Sequence, residues 1–317
     1  MTRAVAHIRK LWGHLWLLPA LPLVYAVVVW TVGDLRPEHV VFAVVCLALG
    51  YASPATKRFL VDVSPYVAVG IAYDLVRYAR RALLTPDRVI GCELRSLELS
   101  LFAVAPDTTP QDWFMAHHAP FFDLLFSVPY AIFAYVALLY AGYLYFVDRP
   151  RMRHYLWAFA IANGISFVTW LALPAAPPWY VREHGCFIDM SVQPSPAALT
   201  RVDALLGIDY FAVFYSRAAS VFGALPSMHC AYPLLGLLTA RQSATWRTWP
   251  LHVGYTVLMF VASVYLDHHW VIDGLLGWAI ALAAVWIAGV LLRRRSVPAS
   301  LGATNNGGPE AASQPVA

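Results

Sequence analysis

Residues 271–292 read VIDGLLGWAIALAAVWIAGVLL: one acidic residue, Asp273, then an uncharged apolar run that ends at Arg293-Arg294-Arg295. A bilayer core of about 30 Å takes about 20 apolar helical residues, so this stretch reads as a membrane span closed by a basic anchor. Working outward, similar runs occupy 15–32, 40–52, 59–76, 121–146, 155–173, 227–240 and 252–266. The second and sixth are short, and the third carries Asp62, Ser64, Pro65 and Asp74. The expectation is an all-α polytopic integral membrane bundle of about eight spans, with six as the lower bound. Composition agrees: of 317 residues 60% are hydrophobic and 13% charged, about half the charge of a soluble chain. That excludes a pair of soluble domains, and a net charge of +4 is read loop by loop as topology rather than as a nucleic-acid signal.

Arg3, Arg9 and Lys10 precede the first run as they would in a signal peptide. That run is too long and lacks a cleavage pattern near Gly33, so it reads as a retained span. With eight spans, the N-terminus, Lys57–Arg58, Arg149–Arg151–Arg153, Arg241 with Arg247, and Arg293–Arg295 all become cytoplasmic. The segments 77–120, 174–225 and 267–270 then face outside. Arg77, Arg80, Arg81 and Arg88 violate this trend. Segment 77–120 reads as short interfacial helices, and the long aromatic loop 174–225 as an ordered lid. The tail 293–317 is rich in Gly, Pro, Ser and Ala and reads as disordered and cytoplasmic. Of four cysteines, only Cys92 and Cys186 fall in outer loops, where a disulfide can persist. They are either bridged or unrelated.

Two places carry chemistry. Gly223-Ala224-Leu225-Pro226-Ser227-Met228-His229 opens the sixth span with a proline in its first turn. Free amides and the positive helix end there suit an anion; Ser227 adds a hydroxyl and His229 a titratable ring. Tyr265-Leu266-Asp267-His268-His269-Trp270-Val271-Ile272-Asp273 joins the last two spans. Four residues apart, His269 and Asp273 share a helix face. A carboxylate holding one imidazole nitrogen leaves the other free as base or nucleophile. Topology brings both histidines to the outer face. Either each group merely satisfies its neighbours at the headgroup level, or they form one site for phosphoryl transfer.

P-S-M-H followed some forty residues later by H-W-V-I-D resembles the type 2 phosphatidic acid phosphatase superfamily, whose signatures are P-S-x-H and H-x-x-x-D. P-A-A-P-P-W-Y at 174–180, F-G-A-L-P-S-M-H and Y-L-D-H-H-W-V-I-D are similar to its inositol phosphorylceramide synthase branch, as is Tyr73-Asp74-Leu75-Val76-Arg77. The likeness covers roughly 60–292. It implies spans 1–58, a catalytic membrane domain 59–292 and the tail 293–317. By this resemblance His269 is the nucleophile, Asp273 orients it, and His229 protonates the leaving alkoxide and then activates the acceptor. Ser227 and Met228 would hold phosphoryl oxygens, with His268, Tyr180 and Tyr265 as further substrate-binding positions. No metal or other cofactor is implied. The partners are a phospholipid donor and a lipid alcohol such as ceramide or diacylglycerol, in a bacterial inner membrane with the site facing outward.

The superfamily's K-x-x-x-x-x-x-R-P signature is absent, and Ser263 stands where an Arg usually precedes the nucleophile by six residues. Arg217, or Arg77 with Arg80 and Arg81, would supply the missing positive charge. A phosphatase using water as acceptor is the alternative within the class. A transporter with a His/Asp relay would more often show inverted repeats, and a di-iron oxygenase needs more histidines than His117–His118 and His268–His269 supply.

Overall fold

Prolines and small polar caps set most of the helix starts. In the computed structural model, which describes residues 3–241 and 245–296, Pro37, Pro54, Pro110, Pro120 and Pro178 each occupy the first helical position, where the missing N–H costs nothing. Ser53 and Thr109 form capping boxes with Thr56 and Asp112, and Asp148 accepts from the Arg151 amide at 3.1 Å.

The helices are α1 (Arg3–Trp12), α2 (Leu21–Thr31), α3 (Pro37–Ala52), α4 (Pro54–Leu83), α5 (Cys92–Phe102), α6 (Pro110–Ala116), α7 (Pro120–Val147), α8 (Arg149–Ala172), α9 (Pro178–His184), α10 (Thr200–Leu206), α11 (Tyr210–Tyr215), α12 (Met228–Ala240), α13 (Trp249–Tyr265) and α14 (Val271–Ser296). Among the described residues no strand occurs, only isolated backbone bridges. The fold is the expected all-α membrane bundle. By length and composition α4, α7, α8 and α14 qualify as spans; α3, α12 and α13 are shorter apolar helices.

The first expected span, 15–32, corresponds to Leu18–Thr31, and a sharp bend sets it off from the helix before it. The chain bends by 94° between Val5–Leu15 and Leu18–Thr31, where two short 3₁₀ turns and Pro19 and Pro22 interrupt it. The expected domain division at 58/59 falls inside α4, and α4 runs on to Leu83, so Arg77, Arg80 and Arg81 belong to its last turns rather than to a loop. Residues 293–296 continue α14; the rest of the expected disordered tail lies outside the described residues.

The charges that counted against α4 as a span are all paired. Asp62 accepts from Arg149 at 2.6 Å and Arg153 at 2.7 Å. Asp74 accepts from Tyr25 at 2.6 Å and from Arg36, with Arg77 at 3.6 Å. Buried carboxylates persist in an apolar setting when paired in this way.

Helix α8 is the centre of the bundle, packed by α4, α7, α12 and α14. Ala281, Ala284 and Ala288 of α14 share a buried cluster with Ala158 and Ala162 of α8, small residues that let helix backbones approach closely.

The outer layer consists of α5, α6, α9, α10 and α11. Residues 174–176 thread through it, the Ala176 amide donating to Ile90 at 2.8 Å and the Ala175 amide to Phe222 at 3.1 Å. Val89, Leu94, Trp179, Tyr180, Phe222 and Trp270 form its apolar core. Cys92 and Cys186 are bridged, with Cα atoms 5.5 Å apart, tying α5 to the lid as one of the two open readings required.

Candidate active site

Helix α12 begins just after a cis Leu225–Pro226 peptide. Ser227 is its N-cap: the hydroxyl accepts from the Cys230 amide at 3.3 Å, and the Ser227 amide donates to the Asp273 carbonyl at 2.9 Å. The starts of α12 and α14 are thereby joined. A Cβ on Gly277 would lie 2.2 Å from the Ser227 carbonyl oxygen, so only glycine permits this approach. Ser227 is wholly buried and does not line the cavity; Met228 does. The first-turn amides of α12, those of Met228 and His229 among them, have no partner within the helix.

His269 sits between two anchors. Its Nδ1 is 3.0 Å from the Ala224 carbonyl oxygen and 3.5 Å from Asp273 Oδ2. Both neighbours are acceptors, so the proton resides on Nδ1 and Nε2 carries the lone pair. That Nε2 lies 3.1 Å from His229 Nδ1. The His229 ring is stacked on Tyr130 with centroids 4.4 Å apart and meets Phe133 at 4.5 Å; its Nε2 is buried and has no partner among the described residues. Asp273 Oδ2 also accepts from the Trp270 amide at 2.9 Å, capping α14. The three expected catalytic side chains are therefore brought together, with His269 between His229 and Asp273.

His269 and His229 line a cavity of roughly 630 Å³ with walls of Tyr66, Tyr73, Phe133, Phe159 and Trp170. Among the described residues Arg217 is the one Arg or Lys on its wall. Arg77 does not line it, but its Nη2 donates to the Arg217 carbonyl at 2.9 Å while Asp74 offsets its charge. Arg77 thus braces the backbone that carries Arg217. Neither Arg80 nor Arg81 lines the cavity.

The remaining expected positions serve the frame. His268 faces the cavity, but its Nε2 bonds the Pro196 carbonyl at 3.0 Å, and its ring is stacked between Tyr130 and Tyr215. Burial pushes its pKa down to about 3, so it stays neutral. Tyr180 is not brought to the cavity: its hydroxyl accepts from the Asp189 amide at 2.7 Å and bolts the lid to itself. Tyr265 does not line the cavity either, its hydroxyl donating to Asp123 at 2.9 Å. Ser263, in place of a family Arg, is fully buried, and its carbonyl accepts the His269 amide at 3.1 Å.

Three supports have no signal in local spacing. The Ala224 carbonyl is one. Glu98 of α5 and Gln111 of α6 form the second: Gln111 Nε2 donates to the His269 carbonyl at 3.0 Å and to Glu98 at 2.9 Å, and Glu98 accepts from the Val271 amide at 2.8 Å. Burial pushes the Glu98 carboxyl above its usual range, over the opposing bonds from Gln111 and Val271. The third is Arg182 of α9, whose Nε and Nη2 grip Asp267 at 2.9 and 2.8 Å and whose Nη1 reaches Asp112 at 2.6 Å. Burial works against the Asp112 carboxylate, but bonds from Thr109 and Arg182 outweigh it and hold the carboxyl below its usual range. Asp267 has a φ of 63°, a left-handed conformation that such clamping sustains.

A helical membrane bundle with a tethered histidine, a second histidine at its free nitrogen and a carboxylate behind it defines a class of lipid phosphoester enzymes. The chain belongs to the PAP2 superfamily, whose model matches residues 93–287. It is 32% identical to the phosphoinositol dihydroceramide synthase of Bacteroides thetaiotaomicron over 255 residues, 78% of this chain and 82% of that one. It is 33% identical over 172 residues to the inositol phosphorylceramide synthase of Candida albicans, covering 52% of this chain and 35% of that protein. A Schizosaccharomyces pombe catalytic subunit of the same name is 30% identical over 164 residues, 50% and 38% of the two chains. These relatives are lipid phosphotransferases, enzymes of the sphingolipid kind. No solved structure matches the chain.

Proposed function

We propose that this enzyme moves phosphoinositol, or a closely similar phospho-headgroup, from a phospholipid to a ceramide-like lipid alcohol through a phosphohistidine on His269. The carrying observation is that both neighbours of Nδ1 are acceptors, which leaves Nε2 as a lone pair facing an aromatic cavity. Nε2 attacks phosphorus and the P–O bond to the diacylglycerol breaks, while His229 gives the leaving alkoxide its proton. His229 then takes the proton of the acceptor hydroxyl as that oxygen attacks. The P–N bond breaks and returns its pair to His269. Arg217, the α12 amides and the Asp273 charge stabilise the passing negative and positive charge, the main means of accelerating phosphoryl transfer.

The site faces the non-cytoplasmic side of the plasma membrane. Basic turns alternate in support of that orientation, and a bridge such as Cys92–Cys186 persists in an oxidising compartment. Exposed Ser191 replaced by cysteine is expected to react with an impermeant maleimide on intact cells; reaction only after lysis would reverse the orientation. For the activity, purified enzyme is incubated with phosphatidylinositol labelled in its headgroup phosphate. The expected result is an acid-labile labelled protein, chased into inositol phosphorylceramide by ceramide. Label released only as free inositol phosphate would refute the transferase reading in favour of hydrolysis.

A further inference from the structure

Helices α4 and α7 both pack along α8 but scarcely meet each other, leaving a furrow with α8 as its floor. The catalytic cavity fills the outer half. A second cavity, roughly 400 Å³ and lined almost wholly by apolar side chains, fills the inner half, and Tyr66 borders both. On α4 the wall is close to a single stripe, Phe59, Val63, Tyr66, Gly70 and Tyr73, whose spacings of three and four keep it on one helix face. Helix α7 contributes a broader surface that includes Phe133, Ala137, Ala141 and Gly142, over a floor of Met152, Leu156, Phe159 and Asn163. From Phe59 to Tyr73 the furrow is about 20 Å long at 1.5 Å per residue, more than the depth of one leaflet, about 15 Å.

Its ends differ in chemistry. The inner end is closed where Phe59 meets Tyr145 with ring centroids 5.2 Å apart, and where Arg149 lies over Tyr145 while pairing with Asp62. The outer end opens at Phe133 and His229, below Arg217. The inner half is a poor place for water, which needs two to four polar partners. An amphipathic molecule with an anionic or hydroxyl head and one long hydrocarbon chain matches both ends.

We propose that this furrow seats the hydrocarbon chain of the lipid alcohol that stands opposite His269, first as the leaving alcohol and then as the acceptor. The assignment rests on the function proposed above. Two successive in-line displacements put the oxygen that leaves in the first and the oxygen that enters in the second on the same side of phosphorus, opposite His269, and His229, the furrow's outer neighbour, serves both. The furrow therefore measures chain length, and the acceptor slides in only after the first alcohol has left.

Gly142 gives a clean test. It lines the inner cavity, and a Cβ added there meets nothing within 4 Å, so a side chain can start from this position without a clash at its root. With phosphatidylinositol as donor, kcat/KM is measured for hexanoyl and stearoyl ceramides with wild type, Gly142→Leu and Gly142→Phe. Each methylene forced out of the apolar walls costs about fourfold, so the stearoyl-to-hexanoyl ratio is expected to fall by at least about tenfold in Gly142→Phe and by less in Gly142→Leu. An unchanged ratio in folded protein overturns the proposal. Val63→Trp, on the opposite wall, repeats the measurement should Gly142→Phe not fold. Independently of turnover, a ceramide with a diazirine midway along its acyl chain is photolysed on the wild-type enzyme. Adducts on α4 and α7 between residues 59 and 146 support the furrow, and adducts confined to other helices overturn it. Failure of the wild type to use any of these lipids, with adducts in the furrow, would count against the proposed reaction and not against the seat.

Discussion

Replacing Asp273 by Asn separates two tasks that one carboxylate usually performs together. In serine hydrolases the corresponding change costs about 10⁴-fold in kcat, because the histidine adopts the wrong tautomer. Here the nearer acceptor for His269 Nδ1 is the Ala224 carbonyl, at 3.0 Å against 3.5 Å for Asp273, and no side-chain substitution removes it. Asparagine can still accept from the Trp270 amide, so the cap of α14 survives. What disappears is a negative charge beside a ring that becomes positive as phosphorus is attacked. At 3.5 Å and an effective dielectric of about 20, that attraction is worth at most about 4.7 kcal/mol. Partial charge development brings the expected loss to about 10²–10³-fold in kcat, with KM little changed. The assay is inositol phosphorylceramide formation in detergent micelles, accompanied by a thermal unfolding curve to establish that the variant is folded. A folded Asp273→Asn enzyme that loses 10⁴-fold or more would show that the carboxylate, not Ala224, sets the tautomer. A loss below about tenfold would show that the charge does nothing beyond capping.

His269→Ala is expected to abolish turnover and phosphoenzyme labelling, while His229→Ala retains slow labelling by activated donors with good leaving groups; labelled His269→Ala protein would sink the nucleophile assignment. Gly277→Ala forces its methyl group toward the Ser227 carbonyl and is expected to cost about 1–3 kcal/mol by overpacking, read as a lowered Tm, together with a kcat loss as α12 and α14 part. Replacing Cys92 and Cys186 by Ser opens a loop of 94 residues, worth about 4–5 kcal/mol in the chain-entropy model; a Tm unaffected by the substitutions or by reductant would contradict that. The depressed His268 pKa stabilises the fold above about pH 6.5, and this contribution is lost as pH falls from there toward about 3, by up to about 5 kcal/mol. His268→Phe keeps the stacking and is expected to flatten the acid limb of a Tm-against-pH curve, and an identical acid limb would refute the linkage.

The spans and the two histidine motifs were legible because each is a local pattern: apolar runs of bilayer length, and polar residues spaced to share a helix start. Long-range pairing was not legible. Asp62 and Asp74 read as reasons to doubt α4 as a span, since the partners that bond them, Arg149, Arg153 and Arg36, lie far away in the sequence. Tyr180 and Tyr265 sit inside the motifs yet spend their hydroxyls on Asp189 and Asp123, a use that residue type alone does not distinguish from contact with a substrate. Glu98 and Gln111 follow no period that links them to His269, and a backbone carbonyl such as that of Ala224 has no residue type at all. Cysteine placement stood between these cases, because compartment made one pair eligible while distance stayed unknown until the fold was seen.

Those supports also constrain how lipids reach the histidines. The Trp179 amide donates to the Asp267 carbonyl at 3.2 Å, and the Trp270 indole donates to the Ala176 carbonyl at 3.0 Å. Arg182 grips Asp267, and Gln111 holds the His269 carbonyl. The bridge from Cys92 to Cys186 then fixes α5 to the same lid. All of these bonds except the disulfide join the outer layer to the turn that carries His269. A lid swinging outward would drag Asp267, His269 and Trp270 with it and spoil a geometry in which displacements of about 1 Å cost about 10²-fold. Among the described residues no such tie crosses the furrow between α4 and α7 along its length, and its walls lead to His229. Sideways entry from the membrane therefore leaves the catalytic turn intact, whereas entry through the lid does not. That asymmetry also favours a lipid alcohol over water as acceptor: in the proposed reaction, the route that stays open while His269 carries the phosphoryl group is the one filled by hydrocarbon.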